Sequence, residues 1–470
     1  MLSKIFPFAE ILTLILSHLS TSEILQNIAH TSKQFNQLSK SPLVHISVSL
    51  SLFVDEDAAA EFLEKTNLIQ ELKFEWPNFW KSNKETYREK YKRFSLIKKE
   101  SDKILIALSK HSHLKALQCK HLTISRECIA NLQHSKWWEK IRKFELTTEI
   151  NYYSDTEEQF ELAINKLGAN GGLKVLTFNN FEKHVRNLIL SPTCRNLEKL
   201  TIDGTMSDEH LSSIFLARQD TLEELTLDGD YIEDKTSKKL IVCQKLRTLT
   251  LFCLFDSLKF LRQLTNLTTL RLDIEIQWEP LQSLPAKSLP NLSILVIRMF
   301  VPHMGDDEEE EHLENKEEDL EETQSFVVKL ARASPNLTIF DLHSDEECCS
   351  EKAFRSVIKS CPKLEKIRFH IQIRTEEDPE LASIDCFMPT VCDKLTRLQC
   401  LDIKGWTFSE RSLKKIITKC GNLTALQCNN QLFLKSERRS SSEVLHFLEC
   451  WTSRFSDCWP DQNQIVKTFF

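Results

Sequence analysis

A short apolar pattern returns along most of the chain, with leucine or another large apolar residue at its first, fourth and sixth positions. Apolar and polar residues alternate over the last part of each copy, which predicts a short β-strand with one buried face. The clearest copies lie 21 to 25 residues apart and begin at Leu197, Leu222, Leu246, Leu267 and Leu292. Copies with more variation begin at Leu68, Leu114, Ile141, Leu173, Leu337, Leu364, Leu398 and Leu423.

Between the strands the apolar spacing becomes helical. In the clearest case the apolar residues stand at Phe354, Val357, Ile358 and Cys361. This spacing places them on one face of a helix. One strand and one helix in a period of about 20 to 29 residues is typical of leucine-rich repeats, which this chain resembles. The resemblance implies an α/β solenoid with parallel strands on its concave face and helices on its convex face.

Two intervals, from Leu68 to Leu114 and from Leu292 to Leu337, are about twice as long as the others. Either each contains a degenerate repeat or it carries an inserted loop. The register near Leu398 is also open, because a frame that begins at Leu395 fits nearly as well.

The second long interval carries an acidic insertion at residues 305–322. From Asp306 to Glu322 there are twelve acidic residues and one lysine, so the formal charge of −7 becomes +4 without this block. Like charges repel and the block has few apolar residues, so we predict a disordered, solvated loop. A second interpretation is that it steers a basic target or covers the basic segment Lys366–His370 when no target is bound.

The first 44 residues predict three short helices. Ser20 to Glu23 form a capping box before an apolar stripe, and Ser41-Pro42 closes the third helix. The order of these features resembles the F-box, although Phe6-Pro7 and Phe35 replace the Leu-Pro and Trp that are usual in that family. The resemblance implies binding to a Skp-type adaptor and, through it, to a cullin.

So small a module cannot bury its own apolar stripe, so the stripe needs a partner surface. We predict that the adaptor-binding residues are Pro7, Ile11, Leu12, Ile15, Leu16, Leu19, Leu25 and Phe35. The alternative is that residues 5–44 only cap the solenoid, since terminal repeats need capping.

Alternating residues from Val44 to Leu52 predict a strand that opens the repeat sheet directly. No Gly/Ser/Pro-rich linker precedes it, so we expect a stiff junction. The predicted domains are the F-box at 1–44, the solenoid at 45–435, and a C-terminal capping helix and tail at 436–470.

Composition is that of an ordinary soluble protein, with 41% hydrophobic and 27% charged residues. No apolar run is long enough for a membrane span, and no signal peptide is recognisable. Fifteen cysteines without such a signal favour free thiols in a reducing compartment, and therefore a cytoplasmic or nuclear location. Five of them occupy one repeat position, three residues before a leucine: Cys194, Cys243, Cys361, Cys392 and Cys420.

Signals of catalysis are weak. No phosphate-binding glycine loop and no known nucleophile or metalloprotease motif occurs, so we expect neither an enzyme nor a cofactor. The group His111, His113, Cys119 and His121 fits no zinc spacing, so we expect no metal. Four Asn-Leu-Thr/Ser sequons share one position before a strand, where asparagine is expected to bond locally to backbone. We also expect no binding to nucleic acid or membrane.

The function that these features favour is that of a substrate receptor in a cullin-based ubiquitin ligase, with a protein target on the concave face. The alternative is a repeat scaffold or inhibitor outside any ligase. Side chains beside the strand leucines point away from the core. The candidate target-binding residues are therefore Glu224, Asp228, Phe252, Arg271, Asp273, Arg298, Asp341, Arg368, His370 and Lys404. The early strands are acid-rich and the later ones basic, which suits a target of mixed charge.

Overall fold

The chain divides into two compact units, Met1–Leu222 and Glu223–Phe470. The strands that the repeat pattern predicts form in both units. The computed structural model describes residues 47–51, 60, 63–64, 69–75, 106–120, 131–147, 157–170, 172–179, 182–204, 206–255, 258–275, 284–300, 326–344, 351–371, 391, 393–404, 412, 415–416, 419–420, 422 and 425–428.

In the first unit, every strand pairs in parallel with the next strand along the chain. The described strands are β1 (Ser47–Ser51), β2 (Glu71–Glu75), β3 (Ala116–Lys120), β4 (Lys143–Thr147), β5 (Val175–Asn179) and β6 (Lys199–Asp203). The helices between them are α1 (Glu157–Lys166), α2 (Glu182–Leu190) and α3 (Asp208–Arg218), with 3-10 turns at Trp138–Lys140 and Pro192–Cys194. The predicted strand after Pro42 is confirmed as β1.

The second unit continues the same arrangement, again with each strand parallel to the next. Its strands are β7 (Glu224–Ile232), β8 (Thr248–Phe255), β9 (Thr269–Glu275), β10 (Ile294–Phe300), β11 (Ile339–Ser344), β12 (Lys366–Ile371), β13 (Cys400–Lys404) and β14 (Ala425–Cys428). Its helices are α4 (Asp234–Leu240) and α5 (Glu351–Ser360), with a 3-10 helix at Lys259–Gln263 and helical residues at 326–333.

Strand pairing decides the two questions that the repeat spacing left open. β2 pairs directly with β3 and β10 pairs directly with β11, so no further strand enters the sheet across either long interval. Both intervals therefore carry insertions between adjacent strands. In β13, Leu401 is the register partner of Ile367, which confirms the frame that begins at Leu398.

One face of each sheet packs against the helices. The pattern leucines of the second unit, such as Leu270 and Leu295, are fully buried. Phe354 of α5 meets Phe369 of β12 with ring centroids 4.7 Å apart, which shows directly that a helix covers this face. Cys194, Cys243, Cys361 and Cys420 are buried as small apolar residues of the same core, as predicted.

Two adjacent indoles join repeats in the first unit. Trp137 and Trp138 are completely buried and meet edge to face. The Trp137 Nε1–H donates to the Leu108 carbonyl at 2.8 Å, and the Trp138 Nε1–H donates to the Ala163 carbonyl at 2.7 Å. Because these carbonyls belong to the segments before and after, the pair fixes the spacing of neighbouring repeats.

The sequon asparagines also link repeats, and here the expected local bond is wrong. The Asn291 Nδ2–H donates to the Thr265 carbonyl at 2.7 Å, which lies 26 residues earlier in the chain. Asn266, Asn336 and Asn422 likewise donate to carbonyls of the preceding repeat, namely those of Gln244, Pro290 and Thr396. Asparagine before each strand therefore holds one repeat to the next.

We predict that Asn291→Ala lowers the free energy of unfolding by about 1 kcal/mol, because one carbonyl loses its donor. Urea unfolding of the full chain measures this change. The matched control is Asn165→Ala on the exposed side of α1, where alanine is at least as good a helix former. An equal effect of the two substitutions would contradict the inter-repeat role.

We predict that replacing Asp306–Glu322 by a short Gly/Ser linker leaves the melting temperature nearly unchanged. These residues lie outside the described part of the chain, but β10 and β11 already pair without them from Ile294 to Met299. Loop length affects stability only logarithmically, by about 0.6 kcal/mol for each doubling. A loss of several degrees in differential scanning calorimetry would mean that the block folds and supports its repeat.

Candidate protein-interaction surface

The second face of the second unit's sheet carries the residues beside the strand leucines, and we call it the open face. Parallel pairing aligns the same repeat position of successive strands into rows. The central row runs across β9 to β13 as Arg271, Val296, Asp341, Arg368 and Asp402. The outer row, two residues further along each strand, is Asp273, Arg298, His343, His370 and Lys404.

A buried ion network occupies the central row. The Arg368 Nη1–H donates to Asp341 Oδ2 at 3.1 Å, and its Nε–H donates to Asp402 Oδ2 at 3.2 Å. All three residues are buried although they lie on the open face, with exposed fractions of 7% for Asp341, 4% for Arg368 and 1% for Asp402. One guanidinium thus bridges two carboxylates from the flanking strands, which satisfies three charges that would each be costly to bury alone.

Two histidines of the outer row lie against these carboxylates. His343 Nε2 is 3.0 Å from Asp341 Oδ1, and His370 Nε2 is 2.8 Å from Asp402 Oδ2. The two imidazole rings meet edge to face with centroids 4.7 Å apart. Five side chains on three neighbouring strands therefore form one connected group, the Asp–Arg–His cluster of Asp341, His343, Arg368, His370 and Asp402.

The cluster sets the ionisation of Asp341. Burial by itself raises the pKa of Asp341, but the hydrogen bond from His343 and the charge of Arg368 outweigh burial, and the pKa is lowered. A carboxyl group with a lowered pKa in the folded state stabilises the fold above its unfolded pKa. That contribution is lost as the pH falls through the lower, folded pKa. Acid therefore weakens the second unit at this cluster.

Asp273, at the other end of the outer row, behaves in the opposite way. Burial raises the pKa of Asp273 to about 6, although Arg298 nearby lowers it. The two charged groups are 3.9 Å apart and the Arg298 side chain is 54% exposed, so their attraction is screened by water. Asp273 is thus a half-buried acid that accepts a proton more readily than a surface aspartate does.

The predicted target-binding residues fall into two groups. Arg298 and Asp228 are exposed, and Glu224, Phe252, Arg271, Asp273 and His370 are half-buried. Asp341 and Arg368 were expected to face solvent and are instead buried. The prediction that the later strands present a basic surface is also wrong at Arg368, because two aspartates neutralise this residue. Lys404 occupies the outer row, where its backbone pairs in register with His370.

Asp402 belongs to the cluster but was not among the predicted site residues, whereas His343 was expected on the same surface as Asp341. The signal for Asp402 was present in the sequence, since acid, base and acid occupy the same repeat position at Asp341, Arg368 and Asp402. The predicted adaptor-binding residues Pro7, Ile11, Leu12, Ile15, Leu16, Leu19, Leu25 and Phe35 lie outside the described residues.

Two further buried polar groups have structural partners. His111 Nε2 is 2.9 Å from the Leu63 carbonyl, and burial lowers the pKa of His111 despite this hydrogen bond. The Arg218 Nε–H donates to the Ile189 carbonyl at 2.8 Å, and Arg218 Nη2 donates to the Ser191 carbonyl at 2.7 Å. Arg218 thereby caps the C-terminal end of α2, where a positive charge is favourable.

Metal centres and membrane spans are absent from the described part of the chain. There, no group of three or more His, Cys, Asp or Glu side chains is arranged to hold a metal ion. None of the helices described has the length and apolar character needed to cross a bilayer.

Comparison with known proteins identifies the amino-terminal segment. Residues 9–47 match the F-box domain family. A comparison with curated protein sequences gave no match. The chain therefore combines an F-box domain with a leucine-rich-repeat solenoid, a combination that indicates a role in protein interaction.

Solved structures of leucine-rich-repeat type show distant likeness. An internalin (inlF) from Listeria monocytogenes is 15% identical, with a TM-score of 0.33, over 71% of this chain and 86% of that chain. A leucine-rich-repeat protein from Leptospira interrogans is 14% identical, with a TM-score of 0.35, over 87% and 98%. The TLR13–ssRNA13 complex is 16% identical, with a TM-score of 0.39, over 70% and 42%. These likenesses are too distant to bear on function.

We predict that Arg368→Met lowers the free energy of unfolding by about 3–5 kcal/mol at neutral pH, because Asp341 and Asp402 are left as buried, uncompensated charges. Urea unfolding of the full chain measures this loss. The matched control is Arg298→Gln in the neighbouring row, whose exposed side chain should contribute less than about 1 kcal/mol. Equal effects of the two substitutions would show that the network does not stabilise the second unit.

Proposed function

We propose that this protein is the substrate-recognition subunit of a cullin-based ubiquitin ligase, in which the F-box binds a Skp-type adaptor and the repeats hold a protein target. The observation that supports this most strongly is the order of the two modules. The F-box match ends at residue 47, and the first strand of the repeat sheet begins at Ser47. An adaptor-binding module joined directly to a recognition surface is what such a receptor needs.

In this proposal the target binds the open face of the second unit. Repeat solenoids offer extended surfaces whose side chains change independently of the core. The open face combines a buried centre, the ion network, with exposed groups on either side such as Asp228 and Arg298. The partner enzymes of the ligase carry out ubiquitin transfer, and this protein itself catalyses no reaction and needs no cofactor.

We also propose that the protein acts in the cytoplasm, the nucleus or both. The described cysteines, for example Cys243 and Cys361, are buried as thiols within the repeat core. Burial raises the pKa of each of these two thiols to about 12, which keeps them protonated and unreactive. Free thiols used as core residues suit a reducing compartment.

The decisive experiment is a pull-down of adaptor and cullin with the full chain and with the double variant Ile11→Asp, Leu16→Asp. An unpaired charge at an apolar interface costs several kcal/mol, on the order of 3 or more, so both partners should be lost. The matched control is the double variant Arg271→Glu, Arg298→Glu on the open face. It should keep adaptor and cullin and lose cross-linked target.

Adaptor and cullin recovered at wild-type levels with the Ile11→Asp, Leu16→Asp variant would overturn the proposal. The chain would then be a repeat scaffold or inhibitor whose amino-terminal helices act as a cap. A different result is that the Arg271→Glu, Arg298→Glu variant captures the target as well as the unchanged protein does, while substitutions of exposed helix residues abolish capture. That result would place the target site on the helical side of the repeats.

A further inference from the structure

Exposed bases recur at one position of four consecutive repeats in the second unit, five residues before the leading leucine. They are Arg262, Lys287, Arg332 and Lys359, and we call them the basic ladder. These residues lie in the turns that enter β9, β10, β11 and β12, at the edge of the sheet where the strands begin. Ile241 and Asp393 occupy the same position before β8 and β13, so the ladder is confined to four repeats.

Contacts between neighbouring turns hold the ladder in line. The asparagine bonds described above join the first three turns. The backbone N–H of Lys287 also donates to the Arg332 carbonyl at 2.9 Å. The fourth turn is joined to the third by the Cys361 thiol, which donates to the Ala331 carbonyl at 3.4 Å. The backbone positions of the four bases are therefore fixed by the stacking of the repeats.

The four turns carry bases and no acids. Segments 258–268, 284–293, 326–338 and 358–364 together contain seven lysine and arginine residues and no aspartate or glutamate. The turn before β8, residues 238–247, adds four bases and again no acid, although Lys238 pairs with Asp234. Within the described part of the chain, the ladder side chains form no ion pair.

The described acids closest to the ladder along the repeats lie at one end of it or further along the strands. Glu365, which is half-buried, and Asp393, which is exposed, lie at the β12 end of the row. The strand acids Asp273 and Asp341 pair with arginines of the open face. The positive potential is therefore greatest over the first three members of the ladder, and a partner that approaches this edge meets cations.

Helix dipoles account for only part of the ladder. Arg262 and Lys359 stand in the last turns of helices, where a positive charge is favourable. Lys287 is not helical, and its φ of 63° lies in the left-handed region that favours glycine. Local structure therefore does not explain a lysine there, in a row of like charges that repel one another. A negatively charged partner would replace this repulsion by attraction.

We propose that the basic ladder docks an acidic segment of a partner protein along the edge of the sheet where the strands begin. This is a second interaction surface, which goes beyond the proposed target site on the open face. Neighbouring repeats are about 4.8 Å apart at the strands and about 8–10 Å apart at the helices, so four repeats span about 14–30 Å. An extended segment of about four to nine residues covers that length, and its carboxylates accept hydrogen bonds from the lysine and arginine side chains.

The residues between the bases favour a protein over other polyanions. The exposed residues of these turns are small or polar, for example Gln263, Ala286 and Asn291, and none of those described is aromatic. Single-stranded nucleic acids are held largely by aromatic side chains that stack on their bases. Binding to a membrane surface uses large apolar side chains that enter the lipid boundary. A row of single cations suits a linear chain of carboxylates.

The probe for the test is a fluorescein-labelled peptide of eight glutamates, with a peptide of eight glutamines for comparison. Binding to the full chain is measured by fluorescence anisotropy at low and high salt. We expect the glutamate peptide alone to bind, with a Kd that rises with added salt because exposed charges are screened. The triple variant Arg262→Gln, Lys287→Asn, Arg332→Gln should raise this Kd about tenfold. Asparagine is chosen at the second position because it tolerates left-handed backbone.

The matched control is the triple variant Arg142→Gln, Lys166→Gln, Arg195→Gln. These three bases of the first unit are also exposed, but they share no single repeat position. The control changes the net charge by the same amount and should leave the Kd within about twofold of the unchanged protein. Circular dichroism checks that both variants are folded. Every protein in the comparison retains the acidic insertion, so its effect on the probe is common to all.

Cross-linking on the unmodified chain gives a second measurement that does not depend on any variant folding. A carbodiimide couples the glutamate carboxylates of the bound peptide to nearby lysine amines, and mass spectrometry locates the products. We expect coupling at Lys287 and Lys359, and its loss at high salt. Coupling confined to lysines outside the ladder would overturn the proposal.

Other results would also overturn the proposal. They are no binding of the glutamate peptide, equal binding of the glutamine peptide, an unchanged Kd in the folded ladder variant, or an equal loss in the control variant. An oligonucleotide of eight thymidines and vesicles containing phosphatidylserine are measured alongside. Tighter binding of either, lost in the ladder variant, would assign this edge to nucleic acid or to membrane instead. The adaptor pull-down changes different residues, so this proposal and the ligase role can fail separately.

Discussion

In-register pairing of parallel strands is the constraint on which the remaining features depend. It places the same position of successive repeats about 4.8 Å apart, so any choice made once per repeat becomes a continuous row. Leucine at one position makes the core, and asparagine before the strand makes a line of bonds to preceding carbonyls. Charged residues at a third position make the buried ion network. The stability of each row therefore depends on how well neighbouring repeats fit, because each residue in the row contacts the repeats on both sides.

The Asp–Arg–His cluster shows what this constraint does to charge. A lone aspartate at the Asp341 position would be solvated, as would a lone arginine at the Arg368 position. Brought to adjacent strands, they contact each other and are buried, with exposed fractions of 7% for Asp341 and 4% for Arg368. Lateral contact between the same position of neighbouring repeats contributes to this burial. As a result, the centre of the open face is buried like the core beneath it.

Much of this architecture could be predicted from the sequence, because period and apolar spacing are local signals. The strand positions and the burial of cysteines such as Cys361 follow from spacing alone, whereas the frame at Leu398 needed the pairing of Leu401 with Ile367. The hydrogen-bond partner of the Asn291 side chain could not be predicted in this way, because the accepting carbonyl lies 26 residues earlier and no local pattern marks it. Nor could the burial of Arg368, which depends on residues in two other repeats. Alternation of sign at one repeat position was the available signal, and it becomes visible only when the repeats are aligned by strand.

Direct pairing of β10 with β11, and of β2 with β3, separates two kinds of sequence change. A substitution in a strand must fit the strands on both sides. The segments between β2 and β3 and between β10 and β11 can instead lengthen or change composition without altering the register of any repeat. The two segments differ in composition, since one is rich in lysine and arginine and the other in aspartate and glutamate. The two strand junctions are therefore the positions at which the chain accommodates sequence of different length and charge without a change in the register of the sheet.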